Sequence, residues 1–188
     1  MSMRNKLITA IVALSLVLCC LVGGTVAWLV TESEVITNTF TVGDINISLA
    51  ETTGNTFKII PGATVEKNPI ITVEAKSENC YLYVLIDNTV VLNGTVVATP
   101  DIDTTNWEVV ATKGTKTLYR YKEVVAYKEN AQMFPVFNYV TYSNTILKDN
   151  ISTLNNTTIV VKAYAHQSEN LERTTADTNA MTWAGVNN

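Results

Sequence analysis

The stretch CYLYVLI, residues 80–86, decides the fold because it is apolar on both faces of an extended chain. One face carries Cys80, Leu82, Val84 and Ile86, and the other carries Tyr81, Tyr83 and Leu85. A strand that is apolar on both faces belongs in the middle of a packed sheet. We therefore expect residues 80–86 to form a central strand of a β-sheet.

Turn signals between neighbouring apolar runs predict hairpins on the C-terminal side of this strand. Asn93-Gly94 separates two short Val-rich runs, which is typical of a two-residue type I′ turn. Lys113-Gly114 separates the alternating run at 107–111 from residues 117–121 and predicts a second hairpin. A later alternation predicts one more strand, with one face formed by Ile159, Val161, Ala163 and Ala165.

The remaining segments give weaker local expectations. Residues 59–60 are expected to end a short strand in a turn at Pro61-Gly62, and Gly43 is expected to mark a β-bulge. Val65, Ile71 and Val73 share one parity, so they are expected to lie on one strand that is bent, or at an edge, at Pro69. The helical or irregular candidates are residues 129–134 (a helical turn or loop before Pro135), residues 146–156 (a loop with a short helix) and residues 174–186 (a short helix that packs Met181 and Trp183).

The spacing of these elements predicts the fold class. Short strands rich in Thr, Val, Ile and Tyr follow one another, with a turn signal about every ten residues. This pattern is typical of an all-β antiparallel two-sheet sandwich. We expect one such domain over residues 28–188, with short helical insertions.

The N-terminus has the three-part layout of a secretory signal. Arg4 and Lys6 precede an uncharged, largely apolar run at residues 7–22, and small residues follow at Thr25 and Ala27. We therefore expect a signal helix over residues 1–27 and cleavage between Ala27 and Trp28. The alternative is a retained membrane anchor, but this run is shorter than the roughly 20 residues that a spanning helix needs.

Charge and cysteine usage fit an exported protein. The formal net charge of −4 becomes −6 when Arg4 and Lys6 leave with the signal, because no acid leaves with them. A negative chain is a poor partner for nucleic acid, which is bound by Lys and Arg at its phosphates. Cys19 and Cys20 lie in the signal, so the mature chain keeps only Cys80, which is expected to be a buried apolar side chain without a disulfide.

Three segments resemble one known family. The first, GGTVAWLVTESEVITNTFTVGDINISL, spans residues 23–49 and contains the glycine pair, the Thr-x-Ala cleavage site and the Asn-Thr-Phe-x-x-Gly strand. The others are Pro61-Gly62 with Asn79-Cys80-Tyr81, and Ala163-Tyr164-Ala165-His166-Gln167. In this order the segments are similar to the TasA/camelysin family of secreted Gram-positive proteins.

The resemblance implies several further properties. It implies a jelly-roll-like sandwich, processing by the signal peptidase SipW, and a location in the extracellular biofilm matrix or at the cell surface. It also implies fibres in which residues 28–37 are donated as a strand to another copy or to a related matrix subunit. The candidate donor residues are Trp28, Leu29, Val30, Val35 and Ile36. The alternative is that this segment forms the first strand of its own domain.

Catalytic and metal-binding signals are weak. His166 is the single histidine, whereas the usual zinc site of a metallopeptidase needs two histidines four residues apart with a glutamate between them. Asp101 and Asp103 are two acids in a loop, too few to predict a Ca²⁺ site. We expect no catalytic, metal or cofactor site in this chain.

Three functions remain open from the sequence. The first is a secreted structural subunit of matrix fibres that assembles by β-strand donation and touches the membrane only through its uncleaved signal. The second is a camelysin-like cell-surface metalloendopeptidase, which the family resemblance alone suggests. The third is a monomeric surface adhesin.

Overall fold

The computed structural model describes residues 2–6, 8, 11–12, 44–53 and 58–187, and the chain falls into two compact units, Met1–Thr41 and Val42–Asn188. Among the described residues of the first unit, 3–6, 8 and 11–12 are helical. No helix among the described residues is long and apolar enough to cross a membrane. The expected bulge at Gly43 lies outside the described residues.

The second unit consists mainly of antiparallel strands, with two short helical segments near its C-terminus. The strands are β1 (Ile47–Ala50), β2 (Thr64–Glu66), β3 (Ile70–Val73), β4 (Cys80–Asn88), β5 (Val91–Leu92), β6 (Thr95–Val96), β7 (Ala98–Pro100), β8 (Trp107–Lys113), β9 (Lys116–Tyr121), β10 (Gln132–Pro135), β11 (Tyr139–Tyr142) and β12 (Ile159–Gln167). The helical segments are a 3₁₀ turn (Ile151–Leu154) and the C-terminal helix (Arg173–Ala184). The predicted antiparallel β class is therefore confirmed.

Strand β4 lies inside the largest sheet, whose order is β12-β4-β9-β8. Its inner face, with Leu82 and Val84, joins the main core of the domain, which also contains Ile71, Trp107 and Phe137. Its outer face, with Tyr83 and Leu85, forms a second core with Leu118 and the C-terminal helix. The central strand and its two apolar faces are confirmed.

The main core is closed by two smaller sheets, with the orders β1-β3-β10 and β2-β11-β7. Val65 therefore lies on a different strand and sheet from Ile71 and Val73, so the expected single strand is wrong. The chain changes sheets around Pro69, which has no N–H to give to a ladder. The second layer is divided between two sheets, and a jelly-roll order stays a prediction.

Both predicted hairpins are present. Leu92 pairs with Thr95 around Asn93 and Gly94, whose φ angles of 49° and 79° suit a type I′ turn. In the second hairpin Lys113 pairs with Lys116, so the two turn residues are Gly114 and Thr115, one position later than expected. A register shift between Val109 and Ala111 gives β8 a bulge.

Two further local expectations are wrong. Residues 132–135 are neither a helical turn nor a loop: they form β10, which pairs with β3 at the edge of its sheet. Pro135 is tolerated there because an edge strand needs partners on one side only. Residues 58–60 form no strand, although the expected turn is present, with Gly62 at φ 74° and Ala63 N–H donating to Ile60 O at 3.0 Å.

The C-terminal helix is confirmed, but it packs through different residues than expected. Its buried residues, Ala176, Ala180 and Ala184, recur every four positions and lie on one face. Met181 is half-buried, and Trp183 is 39% exposed. The small alanine side chains let the helix approach β4 and β9 closely, and Gly185 ends it at φ 67°.

An ion-pair cluster around the buried Arg120, with Asp177 and Glu108, fixes this helix on the sheet. Arg120 on β9 forms a short ion pair with Asp177 on the helix, and its Nη2 lies 2.5 Å from Oε1 of Glu108 on β8. Tyr83 Oη donates to Asp177 Oδ1 at 2.9 Å. Burial, and then this hydrogen bond, raise the pKa of Tyr83. The cluster ties three elements of the second core together.

Candidate functional site

The outer edge of β12 has an incompletely covered apolar face. β12 is nine residues long and ends the four-stranded sheet, and no strand among the described residues pairs with its outer edge. Its inward-facing side chains pack against the main core but are only partly buried: Ile159, Val161, Ala163 and Ala165. Inward-facing residues of a closed sandwich are normally buried, so among the described residues this row lacks a neighbour on one side.

Strand β1 forms the other side of this opening. It ends the sheet β1-β3-β10, and its Cα atoms approach those of β12 within 8 Å. Leu49 stands directly opposite Ile71, so both point into the sandwich, yet Leu49 is 37% exposed while Ile71 is fully buried. Ile45 and Ile47 are likewise only partly buried. We call the opening between residues 45–51 and residues 159–165 the seam.

The seam is narrow at one end and wide at the other. At the narrow end Glu78 N–H donates to Asp44 O at 3.0 Å, and Ser168 N–H donates to Asn79 O at 3.0 Å, which ties the start of β1 to the end of β12. At the wide end Glu51 and Ile159 line one cavity of about 930 Å³. The two strands therefore run antiparallel beside each other.

The cavity at the wide end has an apolar floor and a polar rim. Val90, Val140, Tyr142 and Leu154 line it and are all buried. Burial raises the pKa of Tyr142. On the rim, Lys67 Nζ lies 2.7 Å from both carboxylate oxygens of Glu51. A cavity with an apolar floor and a polar rim can bind an extended segment in which apolar and polar side chains alternate.

The N-terminal part of the chain matches a known family. Residues 2–77 match the family model described as camelysin metallo-endopeptidase. This part of the chain is therefore similar to the camelysin family. The matched region includes β1 to β3, and therefore one side of the seam. No curated protein and no solved structure matches the chain.

The description of the camelysin family implies a metal, but the described residues do not fit one. No group of three or more His, Cys, Asp or Glu side chains among them is close enough to hold an ion. His166 Nε2 lies 3.0 Å from Asn179 Nδ2, and its Nδ1 lies 3.1 Å from Gln167 O. Both ring nitrogens thus contact protein groups, and no carboxylate is among these contacts.

The two loop acids, Asp101 and Asp103, are used by their own surroundings. Asp101 Oδ1 accepts hydrogen bonds from the backbone N–H groups of Asn138 and Tyr139, at 2.9 and 2.7 Å. Asp103 accepts from Thr105 N–H at 3.0 Å, and the hydrogen bond from Asn106 lowers its pKa. Both carboxylates therefore organise backbone turns.

The site residues predicted from the N-terminal segment lie outside the described residues. They are the cleavage pair Ala27 and Trp28 and the donor candidates Trp28, Leu29, Val30, Val35 and Ile36. Their roles stay predictions.

Sequence reasoning missed the other half of the site, which is the edge of β12. The alternation from Ile159 to Ala165 located a strand face, but no sequence signal shows that this strand lies at an open edge.

Cys80 is a free thiol at the start of β4 and is fully buried. Burial raises its pKa from 9.0 to about 11. The buried side chain expected from the sequence is confirmed. The raised pKa keeps the group in the thiol form, and only the thiolate is a good nucleophile.

We expect Cys80 in folded protein that begins at Trp28 to react with a thiol reagent at pH 8 at least about a hundredfold more slowly than in unfolded protein, which corresponds to the pKa difference of two units. The thiol is favoured in the folded state, so folding stability should be unaffected below about pH 9 and should fall as pH rises towards 11. Timed labelling with and without urea measures the first effect. Cys80→Ser is the control, and it is expected to cost about 1–2 kcal/mol while still folding. Rapid labelling of folded protein would show that the thiol is accessible.

Proposed function

We propose that the protein is a secreted structural subunit that assembles by β-strand addition. Residues 28–37 of one copy pair with the outer edge of β12 in the next copy and cover the seam. The observation that supports this most is the row of partly buried, inward-facing side chains along a nine-residue edge strand. An open edge offers unpaired N–H and C=O groups to an extended segment.

Three other sheet edges, those of β7, β8 and β10, are less suitable for strand addition than the edge of β12. β8 carries a bulge between Val109 and Ala111, while β7 and β10 end in Pro100 and Pro135. Bulges and prolines both discourage edge pairing. One donor segment and one acceptor edge per molecule make a head-to-tail contact that does not close on itself, and such contacts generate filaments.

The remaining parts of the proposal come with the family. SipW cleaves between Ala27 and Trp28, the mature domain is a jelly-roll-like sandwich, and the filaments belong to the extracellular matrix of a Gram-positive biofilm. Cleavage frees the donor segment from the apolar run at residues 7–22. The protein then assembles with copies of itself or with a related matrix subunit.

The proposal is tested on the acceptor side by filling the seam. Ala163→Leu adds bulk to the inward-facing, partly buried row of β12. We expect the critical concentration for assembly to rise about tenfold, which corresponds to 1.4 kcal/mol per contact. Sedimentation velocity and negative-stain microscopy over a concentration series measure it.

The matched control is Thr112→Leu, which adds the same side chain at an exposed position of β8, the opposite edge of the same sheet. It should assemble like the wild type, and thermal melts should confirm that both variants fold. Unchanged assembly of Ala163→Leu would exclude β12 as the acceptor.

The second candidate function is a peptidase, which the family description suggests. Bound metal, together with cleavage of casein by purified mature protein, would favour this candidate.

A further inference from the structure

A second, smaller cavity lies on the outer face of the four-stranded sheet, at the C-terminal end of the C-terminal helix. Its volume is about 240 Å³. Leu85 and Val160 contribute its apolar lining. Trp183 and three charged side chains, Asp87, Lys116 and Lys162, complete it. It faces away from the seam side chains, because Val160 and Lys162 alternate with the inward-facing row of β12.

The indole of Trp183 is held in place although it is exposed. Its ring lies against that of Tyr164, with centroids 5.1 Å apart and planes 22° from parallel. The adjacent Ala184 is buried, and the helix is fixed by the ion pair between Asp177 and Arg120. Trp183 is nevertheless 39% exposed and lines the cavity. A large exposed aromatic surface with a fixed orientation is a ready contact for a ligand.

The polar groups around the indole include both an acceptor and donors. Asp87 lies between Val160 and Lys116 in the sheet register. Thr115 Oγ1 donates to Asp87 Oδ1 at 2.6 Å, which leaves the second carboxylate oxygen able to accept. Lys162 is exposed and forms no ion pair among the described residues. Lys116 Nζ lies 3.5 Å from Ala184 O, a long contact.

We propose that this cavity, the Trp183 subsite, binds one pyranose ring of a polysaccharide. The C–H face of a sugar ring is apolar and stacks on an indole, while its hydroxyls both donate and accept hydrogen bonds. Asp87 accepts from one hydroxyl, and Lys116 and Lys162 donate to others. The cavity is smaller than the roughly 300–1,000 Å³ of typical ligand pockets, so it fits one ring of a longer chain.

Sugar binding at this subsite does not require assembly, because Trp183 and the three charged side chains are not among the residues that line the cavity of the seam, although Val160 lines both cavities. A single ring held this way binds weakly, with a dissociation constant in the millimolar range, about −4 kcal/mol. Many copies along one filament would bind a long polysaccharide far more tightly through multivalency.

The test uses mature wild-type protein and two soluble probes, cellohexaose as a neutral glycan and hexagalacturonate as an acidic one. Isothermal titration calorimetry should detect binding of at least one of these probes at millimolar concentration. Trp183→Ala should weaken that binding at least about tenfold, and Trp183→Phe should retain part of it. Val109→Ala, an exposed apolar position on β8, is the control and should bind like the wild type.

The two probes separate the sources of the sugar ring. Binding of cellohexaose indicates a neutral polymer, while binding of hexagalacturonate alone indicates that the lysines select a carboxylate. Lys162→Ala changes an exposed residue and keeps the indole, and it should lower the affinity for the bound probe about threefold. The test therefore does not depend on whether the Trp183→Ala variant folds. Absence of binding by both probes would overturn the proposal, as would undiminished binding by the Trp183→Ala variant.

Discussion

Protein truncated so that it begins at Asn38 is expected to fold and to stay monomeric, whereas protein that begins at Trp28 is expected to form filaments. The truncation removes the proposed donor segment and leaves every described strand of the domain in place. Fixing the backbone of a ten-residue segment in a strand costs about 1–2 kcal/mol per residue in conformational entropy. The truncated protein avoids this cost, but it also loses the ladder bonds and the burial of Trp28 that would offset it. Circular dichroism and negative-stain microscopy at matched concentrations measure the two outcomes.

A peptide that spans residues 28–37 makes this experiment sharper. Added to the truncated protein, it should bind and cap the seam without restoring filaments, because a free peptide cannot link two domains. The Ala163→Leu form of the truncated protein should bind the peptide about tenfold more weakly. Filaments from the truncated protein alone would exclude donation of this segment. Unfolding of the truncated protein would show that residues 28–37 form the first strand of their own domain.

Sequence alone predicts those parts of the domain in which local chemistry decides the structure. The two faces of β4 follow from strict alternation, because a side-chain period of two is fixed by the extended backbone. The turn at Asn93-Gly94 follows from the ease with which these residues adopt positive φ. In both cases the information lies within a few neighbouring residues.

The parts that sequence missed depend on partners far away in the chain. The sequence of β10 contains Pro135 and looks unsuitable for a strand, yet pairing with β3 makes it one. Val65 and Ile71 share a parity but lie in different sheets, because β2 pairs with β11 while β3 pairs with β1 and β10. The open edge of β12 is a property of strand order, which alternation within one strand does not encode.

A large effect on stability is expected at Arg120. Arg120→Met keeps most of the apolar contacts of the side chain but removes the charge that pairs with Asp177 and Glu108. Removing one member of a buried ion pair costs about 3–5 kcal/mol, because the remaining charge stays partly buried. Two features reduce this value. The Glu108 side chain is 39% exposed, and Arg120 Nε is a buried donor without a partner among the described residues, so its removal is favourable.

We therefore expect Arg120→Met to lower the free energy of unfolding by about 2–3 kcal/mol. Urea unfolding of the mature protein measures it, and Lys76→Met is the matched control. Lys76 pairs with Glu129 at 3.9 Å, but both side chains are about 70% exposed, so its loss should cost less than about 0.5 kcal/mol. Equal costs for the two variants would mean that solvent screens the Arg120 cluster as it screens a surface pair. The alanine face of the C-terminal helix, rather than the ion pairs, would then hold that helix on the sheet.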